Sequence, residues 1–418
     1  MELKRKCITD IDVKNKRVVI RADLDIPILG GKVLDNEQIV NALHTIRYAL
    51  DHQCRSVLLI SHVGDADGAK DERFSLRPIA DELNKLLAPE NRKVHFLGDF
   101  HFLDIDRKCI CPPKGSILLL ENIQFYIEEI GYSKDTNVKA PRDMIMKFRR
   151  MLKRYGDVYV NDAFRFCYLT HSSMMGYFFE ARVAGLEMQK ELKYFHRTLI
   201  NPRRPFVAII GGDKFSTKLK ILNNLLNVVD EIIVAGGLPF TFLKESRNMK
   251  IGDSLYSQLN SNYVRKLMRR AENNEVSLHL PNDFITGNCY DNCTPLKLCL
   301  VDDGIPEGNM GLDIAPKSMY HFTHIISGAK TILWHGPVGF IEQEAFGDGT
   351  VCIMQAIITA TENGATSLVV GEETISFCRK WGTLNKFSHV SSGRAGVYLL
   401  LGKSLPAVRA LSAKSRTY

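Results

Sequence analysis

The sequence lacks long apolar runs and biased segments. No stretch of the 418 residues is apolar over enough positions to cross a bilayer. The opening residues, MELKRKCITDIDVKNK, lack the apolar core of a secretory signal. There is no short-period repeat and no low-complexity tract, which argues against repeat architectures. We therefore predict a cytoplasmic globular protein without a membrane partner.

The ten cysteines lack the spacing of a metal site or a disulfide framework. The densest group, Cys289, Cys293 and Cys299, fits no common zinc template. Disulfide frameworks belong to small secreted domains, whereas this chain is long. We interpret the cysteines as reduced thiols.

The excess of positive charge is small for a chain of this length. Lys and Arg number 55 against 47 Asp and Glu, a net charge of +8. The basic pairs, such as Arg149–Arg150 and Arg269–Arg270, are dispersed and are typical of solvated helix and loop faces. This pattern suits anionic small molecules and argues against nucleic acid as a partner.

Ten short apolar runs, each followed by a helical stretch, indicate the fold class. Near-continuous apolar strands that alternate with helices are typical of parallel sheets covered on both faces. We predict an α/β protein with two doubly wound parallel-sheet domains, Rossmann-like, joined by a hinge helix. The predicted strands are Arg17–Asp23, Ser56–Val63, Val94–Leu97, Ile117–Glu121, Val158–Asp162, Pro205–Gly211, Glu231–Gly236, Ser277–Pro281, Thr331–Gly336 and Ser367–Gly371.

The joint between the two halves is predicted near residues 187–204. Glu187–Ile200 has an amphipathic helical pattern, and Asn201–Pro205 interrupts it with two prolines. The predicted division is residues 1–186, a hinge over 187–204, residues 205–402 and a final segment over 403–418. We predict an irregular exposed loop around Gly287–Pro306, without a functional interpretation.

Several predicted strands of the second half end in glycines that open helices. Ligands of open α/β sheets bind at the carboxyl ends of strands, and glycine lets backbone N–H groups approach an oxyanion there. Four such loops, at Gly211–Gly212, Gly236–Gly237, Gly336 and Gly371, favour a phosphate-bearing ligand. On a helix, Lys214 and Lys218 would share a face and could both reach phosphate oxygens; a solvated helix face is the alternative.

Taken together, these segments resemble the phosphoglycerate kinase family over essentially the whole chain. The resemblance implies an N-terminal domain for 3-phosphoglycerate or 1,3-bisphosphoglycerate and a C-terminal domain for Mg-ADP or Mg-ATP. It also implies that the protein is a monomer and that its last segment packs on the first domain. Hinge closure would bring the two substrates together for transfer of the phosphoryl group. The stretches that carry it are KRVVIRADLDIP, SVLLISHVG, ILLLENIQFY, GDVYVNDAF, HSSMMG, RPFVAIIGGDKFSTK, GGLPFTFLK, MGLDIAPKS, ILWHGPVGFIEQEAF and NKFSHVSSG.

On the substrate side, the sequence departs from the basic patch that the resemblance implies. Asp23 and His62 are kept, whereas Asp25 stands for an asparagine of the family and Arg165 for a glycine. Four positions where the family has arginine carry Gln38, Asp65, Gln124 and Leu169. The family uses the arginine at position 38 on the transferring phosphoryl group. Four lost arginines, two new acids and one new arginine shift the charge of the patch by five units toward negative, which disfavours an anionic substrate.

On the nucleotide side, the family pattern is kept more fully. Lys218 is the retained catalytic lysine, and Glu373 can still face magnesium. His335 and Glu372 depart from the pattern, and Glu372 puts an anion beside Gly371, at a helix N-terminus that should hold the migrating phosphate. We hypothesise that Glu372 occupies that anion site. The nucleotide residues implied by the resemblance are Gly212, Lys214, Lys218, Gly236, Gly237, Gly311, Leu312, His335, Pro337, Glu342 and Thr374.

Three functions remain open from the sequence. The chain could be a working phosphoglycerate kinase, a degenerate family member that serves as a scaffold or regulatory partner, or a kinase for a less anionic acceptor. The arginine losses favour the second and leave room for the third, because fold does not fix function. Whether Arg165 replaces a missing guanidinium is also open.

Overall fold

The computed structural model describes residues 4–98, 102–288 and 297–414. The chain divides into two compact units by its internal contacts. One unit is Glu2–Lys193 with Ser404–Tyr418, and the other is Tyr194–Lys403. Each is described by itself.

The first unit is built on a parallel sheet of six strands in the order β5-β6-β4-β1-β7-β8, with a separate antiparallel hairpin of β2 and β3. The strand β4 is buried at all five positions, as expected for a sheet covered on both faces. The strands are β1 Arg17–Arg21, β2 Ile28–Leu29, β3 Lys32–Val33, β4 Ser56–Ile60, β5 Val94–Leu97, β6 Ser116–Leu120, β7 Val158–Asn161 and β8 Ala181–Ala184. The helices are α1 Glu37–Asp51, α2 Arg77–Leu87, α3 Phe102–Ile110, α4 Ile127–Ile130, α5 Arg142–Arg154, α6 Ser172–Met175 and α7 Leu186–Phe195.

The second unit repeats this design with a six-stranded parallel sheet in the order β11-β10-β9-β15-β16-β17 and adds a three-stranded antiparallel sheet, β13-β12-β14. Its strands are β9 Phe206–Ile210, β10 Glu231–Val234, β11 Ser277–His279, β12 Asp283–Gly287, β13 Lys297–Leu300, β14 Met310–Ile314, β15 Thr331–His335, β16 Thr366–Val370 and β17 His389–Ser391. Its helices are α8 Phe215–Leu225, α9 Pro239–Arg247, α10 Ser261–Asn273, α11 Pro316–Gly328, α12 Asp348–Glu362, α13 Glu372–Lys380 and α14 Arg394–Leu400.

The α/β class with two parallel-sheet units is confirmed, and each of the ten predicted runs overlaps a strand of these two sheets. Of the strands in the parallel sheets, the short edge strands β8 and β17 were not predicted, since neither has a long apolar run. The short strands β2, β3, β12 and β14 of the antiparallel pairs were not predicted either. The sequence analysis was also wrong in making 287–306 irregular throughout, because β13 pairs with β12. Cys289 and Cys293 lie outside the described residues. Eight described cysteines are free thiols.

The segment predicted as a helix over 187–200 is helical. The α-helix α7 is continued by a π-helical turn at His196–Ile200. At the other end, the short helix α15 (Pro406–Ala410) precedes Ser412, which exchanges backbone hydrogen bonds with Lys6 and Arg182 of the first unit. None of the helices in the described ranges has the length and apolar composition needed to span a membrane.

Candidate active site

At the carboxyl edge of the second parallel sheet, the glycine loops pack directly on one another. The N–H of Gly212 donates to the carbonyl of Pro337 (2.8 Å), and the N–H of Gly237 donates to the carbonyl of Gly212 (3.1 Å). A Cβ at Gly211 would collide with the carbonyl of Pro337, and one at Gly236 with the backbone of Gly212. Glycine is therefore required for the close approach of three loops. The structure thus brings together the predicted residues at the ends of β9, β10 and β15.

Lys218 carries a buried cation at this edge. Its side chain, on α8, is 3% exposed, and its Nζ donates to the carbonyl oxygen of His335 at 3.2 Å. Burial lowers the pKa of Lys218 to about 8. A buried ammonium group whose hydrogen-bond partner is a neutral carbonyl is stabilised further when an anionic ligand binds to it. This position therefore suits a phosphate oxygen.

Lys214 was predicted to share a helix face with Lys218, but it immediately precedes α8 and is its N-cap residue. The exposed Nζ of Lys214 donates to Oε1 of Glu373 at 2.5 Å. This hydrogen bond raises the pKa of Lys214. The Glu373 carboxylate, at the start of α13, therefore lies beside the two lysines.

Glu373 was the predicted magnesium ligand. Across residues 4–98, 102–288 and 297–414, no group of three or more His, Cys, Asp and Glu side chains could hold a metal ion. A single carboxylate nevertheless fits magnesium that arrives with a nucleotide, because Mg²⁺ keeps water ligands and takes one or two carboxylates together with substrate phosphates. Glu373 would then have to release Lys214.

Glu372 does not occupy the anion site that the sequence analysis gave it. Its side chain is 64% exposed and lies 3.6 Å from Arg379, on the outer side of α13, with Ser376 donating to it at 3.5 Å. The reason is helical geometry, since residues at i+4 and i+7 share its face. The neighbouring residue, Glu373, provides the carboxylate beside the lysines.

His335 is a neutral imidazole with a fixed tautomer. Its Nδ1 lies 2.7 Å from the carbonyl oxygen of Val370, which can only accept, so Nδ1 carries the proton. Burial lowers the pKa of His335 to about 3. Beside it, the N–H of Gly336 donates to Oγ1 of the buried Thr374 at 2.8 Å. His335 thus adds no positive charge for a phosphate.

Two more of the predicted nucleotide residues, Gly237 and Gly311, pack closely against side chains. A Cβ at Gly237 would collide with the Leu255 side chain, and one at Gly311 would collide with the ring of Phe240. The N–H of Gly311 donates to Oγ of Ser254 at 2.9 Å. Of the remaining predicted residues, Leu312 and Pro337 are buried and Glu342 is exposed.

In the first unit, Arg165 meets the predicted substrate-binding acids. Its Nε and Nη2 donate to Oδ2 and Oδ1 of Asp23 at 2.5 and 2.6 Å, and Nη2 also donates to the carbonyl of Asp25 at 2.7 Å. The Asp25 carboxylate accepts from the N–H of Gly64 at 2.9 Å. Burial raises the pKa of Asp25. Arg165 is therefore a fixed partner of Asp23.

His62 is held by an arginine that the sequence analysis did not single out. Arg21, 1% exposed, places Nη2 at 2.7 Å from Nδ1 of His62. A guanidinium group only donates, so Nδ1 accepts and Nε2 carries the proton. Burial, and then Arg21, lower the pKa of His62 well below its usual value. The ring of Phe166 packs edge-on at 4.4 Å. An arginine inside an apolar strand was the available signal.

Asp25 and His62 both lie within the electrostatic influence of Arg21 and Arg165, and Arg165 also binds Asp23, whereas Asp65 points to solvent. The Asp65 side chain is 75% exposed and lies 3.7 Å from Nζ of Lys134. Of the other predicted positions, Gln124 is buried, whereas Gln38 and Leu169 are partly buried.

Comparison with known proteins identifies the family. A protein-family model described as "Phosphoglycerate kinase" matches residues 8–403. The chain belongs to the phosphoglycerate kinase family. It is 44% identical to the phosphoglycerate kinase of Drosophila melanogaster over 99% of this chain and 100% of that protein. It is 43% identical to that of Schistosoma mansoni over 99% of both chains.

The fold agrees with this assignment. The structure of phosphoglycerate kinase from Coxiella burnetii matches with a TM-score of 0.86 at 31% identity, covering 97% of this chain and 98% of that one.

Proposed function

We propose that this phosphoglycerate kinase family protein binds Mg-ADP or Mg-ATP on its second unit and has impaired or lost catalysis. The family reaction transfers a phosphoryl group from 1,3-bisphosphoglycerate to Mg-ADP, giving 3-phosphoglycerate and ATP, in glycolysis and gluconeogenesis. The observation that carries the proposal is the bidentate pairing of Arg165 with Asp23.

Positioning and charge stabilisation supply almost all of the catalysis of phosphoryl transfer. Each charge-assisted hydrogen bond to an anionic substrate is worth about 1.5–3 kcal/mol. Replacement of arginine at Gln38, Asp65, Gln124 and Leu169 removes four groups that could make such bonds. A loss of several kcal/mol, even with non-additivity, slows turnover by orders of magnitude.

Arg165 is the one arginine gained in this patch. Its contacts argue against the idea that it replaces a missing arginine in substrate binding. Its Nε and Nη2 already serve the carboxylate of Asp23 and the carbonyl of Asp25. A substrate phosphate would have to displace those bonds and would then leave Asp23 and Asp25 uncompensated beside it. That exchange is unfavourable because an unpaired, buried carboxylate is costly.

The second unit supports retained nucleotide binding. Lys218 provides a buried ammonium group, and Glu373 provides a carboxylate suited to nucleotide-bound magnesium. The glycine loops around them hold the backbone close, because their N–H groups bond to one another's carbonyl oxygens. His335 adds no charge there, and the Glu373 carboxylate already neutralises Lys214. We infer a weaker affinity than the family pattern would give.

A kinase for a less anionic acceptor is the second candidate. Pairing of Arg165 with Asp23 compensates both charges, and the Phe166 ring edge beside His62 gives the patch an apolar wall. Such a surface suits an acceptor with fewer charges than phosphoglycerate. We also propose cytoplasmic location, a monomeric state and the division into residues 1–186, 187–204, 205–402 and 403–418.

The test combines a coupled ATP-forming assay, using 1,3-bisphosphoglycerate and Mg-ADP, with calorimetric titration of Mg-ADP. We expect measurable Mg-ADP binding that Lys218→Met abolishes, and turnover far below that of a family enzyme assayed in parallel. Restoring arginine at positions 38, 65, 124 and 169, with Asp25→Asn and Arg165→Gly, should raise turnover. Family-level turnover in the unaltered protein would overturn the proposal, and absence of binding and turnover would favour a scaffold.

A further inference from the structure

A polar cavity of about 460 Å³ lies on α8 in the second unit, and the residues assigned to nucleotide do not line it. The helix contributes Thr217, Lys220 and Asn224, which share one face at spacings of three and four. The helix α10 contributes Arg270, and the turn after α14 contributes Lys403. The cavity therefore has three cationic side chains.

Arg270 is oriented by neutral groups. Its Nη1 donates to Oδ1 of Asn223 at 2.5 Å, and its Nη2 donates to Oδ1 of Asn227 at 2.7 Å. Carboxamide oxygens fix the plane of the guanidinium group without cancelling its charge, whereas a carboxylate would do both. The guanidinium thus keeps its positive charge at the cavity wall.

Lys403 is placed by a turn that packs on α8. Nδ2 of Asn224 donates to the carbonyl oxygen of Leu400 at 2.9 Å, which ties the end of α14 to the helix. Gly402 then turns the chain with a φ of +73°, and a Cβ there would meet the Asn224 side chain. Among the described lining residues there is no carboxylate, so the cavity wall carries three cations and no acid. Nζ of Lys403 lies 4.9 Å from the centre of the Tyr398 ring, a contact that leaves its charge in place.

We propose that this cavity binds a small polyanion that carries phosphate groups, of the diphosphate class. Three unneutralised cations held in one concavity repel one another unless an anion joins them. A planar guanidinium and two ammonium groups match the several acceptor oxygens of a diphosphate, and the partly exposed Tyr263 adds a hydroxyl group. The volume is that of a small-molecule site.

Inorganic pyrophosphate without magnesium is the probe, titrated calorimetrically into the full-length protein. Because the nucleotide site also attracts phosphates, the titration is done in the Lys218→Met background. We expect saturable binding there, weakened about tenfold or more when Lys220→Gln and Lys403→Gln are added, since each removes a charge-assisted hydrogen bond. Both side chains are exposed, so the fold should tolerate the changes.

The matched control is the pair Lys330→Gln and Lys380→Gln, exposed lysines of the same unit that do not line the cavity. It makes the same change in net charge and should leave the affinity for pyrophosphate within about twofold. Three outcomes would overturn the proposal: no binding in the Lys218→Met background, unchanged binding in the Lys220/Lys403 variant, or an equal loss in the control.

Discussion

Nζ of Lys214 lies 2.5 Å from Oε1 of Glu373, so the exposed lysine and the carboxylate proposed to face magnesium are hydrogen-bonded to each other. A carboxylate in this position has two competing partners, the lysine and a metal ion that arrives with a nucleotide.

Glu373→Gln should weaken binding of Mg-ADP but not of metal-free ADP. The change removes the metal-binding charge and releases Lys214 toward the phosphates. Both side chains are largely exposed, at 70% and 38%, so stability should fall by less than about 1 kcal/mol. Calorimetry with and without magnesium tests this. Equal losses with and without the metal would contradict a metal-binding role.

Lys218→Met should abolish Mg-ADP binding and change how stability depends on pH. The pKa of Lys218, about 8 in the folded protein, lies below its unfolded value of about 10.4, so the unfolded chain binds more protons between these pH values. The free energy of unfolding of the unaltered protein should therefore rise relative to Lys218→Met over that window, by up to about 3 kcal/mol. Denaturant unfolding at several pH values measures the difference.

Lys220→Met is the matched control for that experiment. Lys220 lies on the same helix, α8, but is exposed. Its variant should track the unaltered protein across the window. If the difference in free energy of unfolding between the unaltered protein and Lys218→Met did not change with pH, the ammonium group of Lys218 would not be desolvated.

Arg165→Ala should destabilise the first unit more than Arg165→Lys does. Removing the guanidinium leaves Asp23 and Asp25 without their partner. The cost should be on the order of 2 kcal/mol, since Arg165 is 23% and Asp23 only 10% exposed. Lysine keeps the charge and loses the bidentate geometry. Urea unfolding at pH 7 distinguishes the variants, and equal stability of Arg165→Ala and the unaltered protein would refute the structural role of the pair.

Asp25→Asn should raise stability at neutral pH. The raised pKa of Asp25 means that the folded state binds its proton more tightly than the unfolded chain does. Its ionised form therefore costs stability above the folded pKa, and this cost disappears as the pH falls below the usual value of 3.8. Asparagine keeps an oxygen for the N–H of Gly64. Unfolding of both proteins from pH 7 to 3.5 tests whether the gain declines toward acid pH.

The sequence predicted the fold and the close approach of the glycine loops because both depend on local patterns. Apolar runs specify parallel strands, and a glycine after such a run marks a close backbone approach, as at Gly211 and Gly236. The pattern was weaker where strands are short. The strands β8 and β17 have four and three residues and were missed. In the loop predicted over 287–306, pairing with β12 imposed the strand β13.

The sequence by itself determined that arginines are absent at positions 38, 65, 124 and 169, and that Lys218 follows a glycine pair. Only the tertiary structure decided what the new charges do. Arg165 reaches Asp23 because β1 and β7 are parallel neighbours, so their carboxyl ends meet although the residues are 142 positions apart. Likewise, the helical turn of α13 decided that Glu373 meets Lys214 while Glu372 faces Arg379. Which charged side chains pair depends on which strand ends the sheet brings close together, because the interaction falls off with distance. A sequence pattern does not contain those distances.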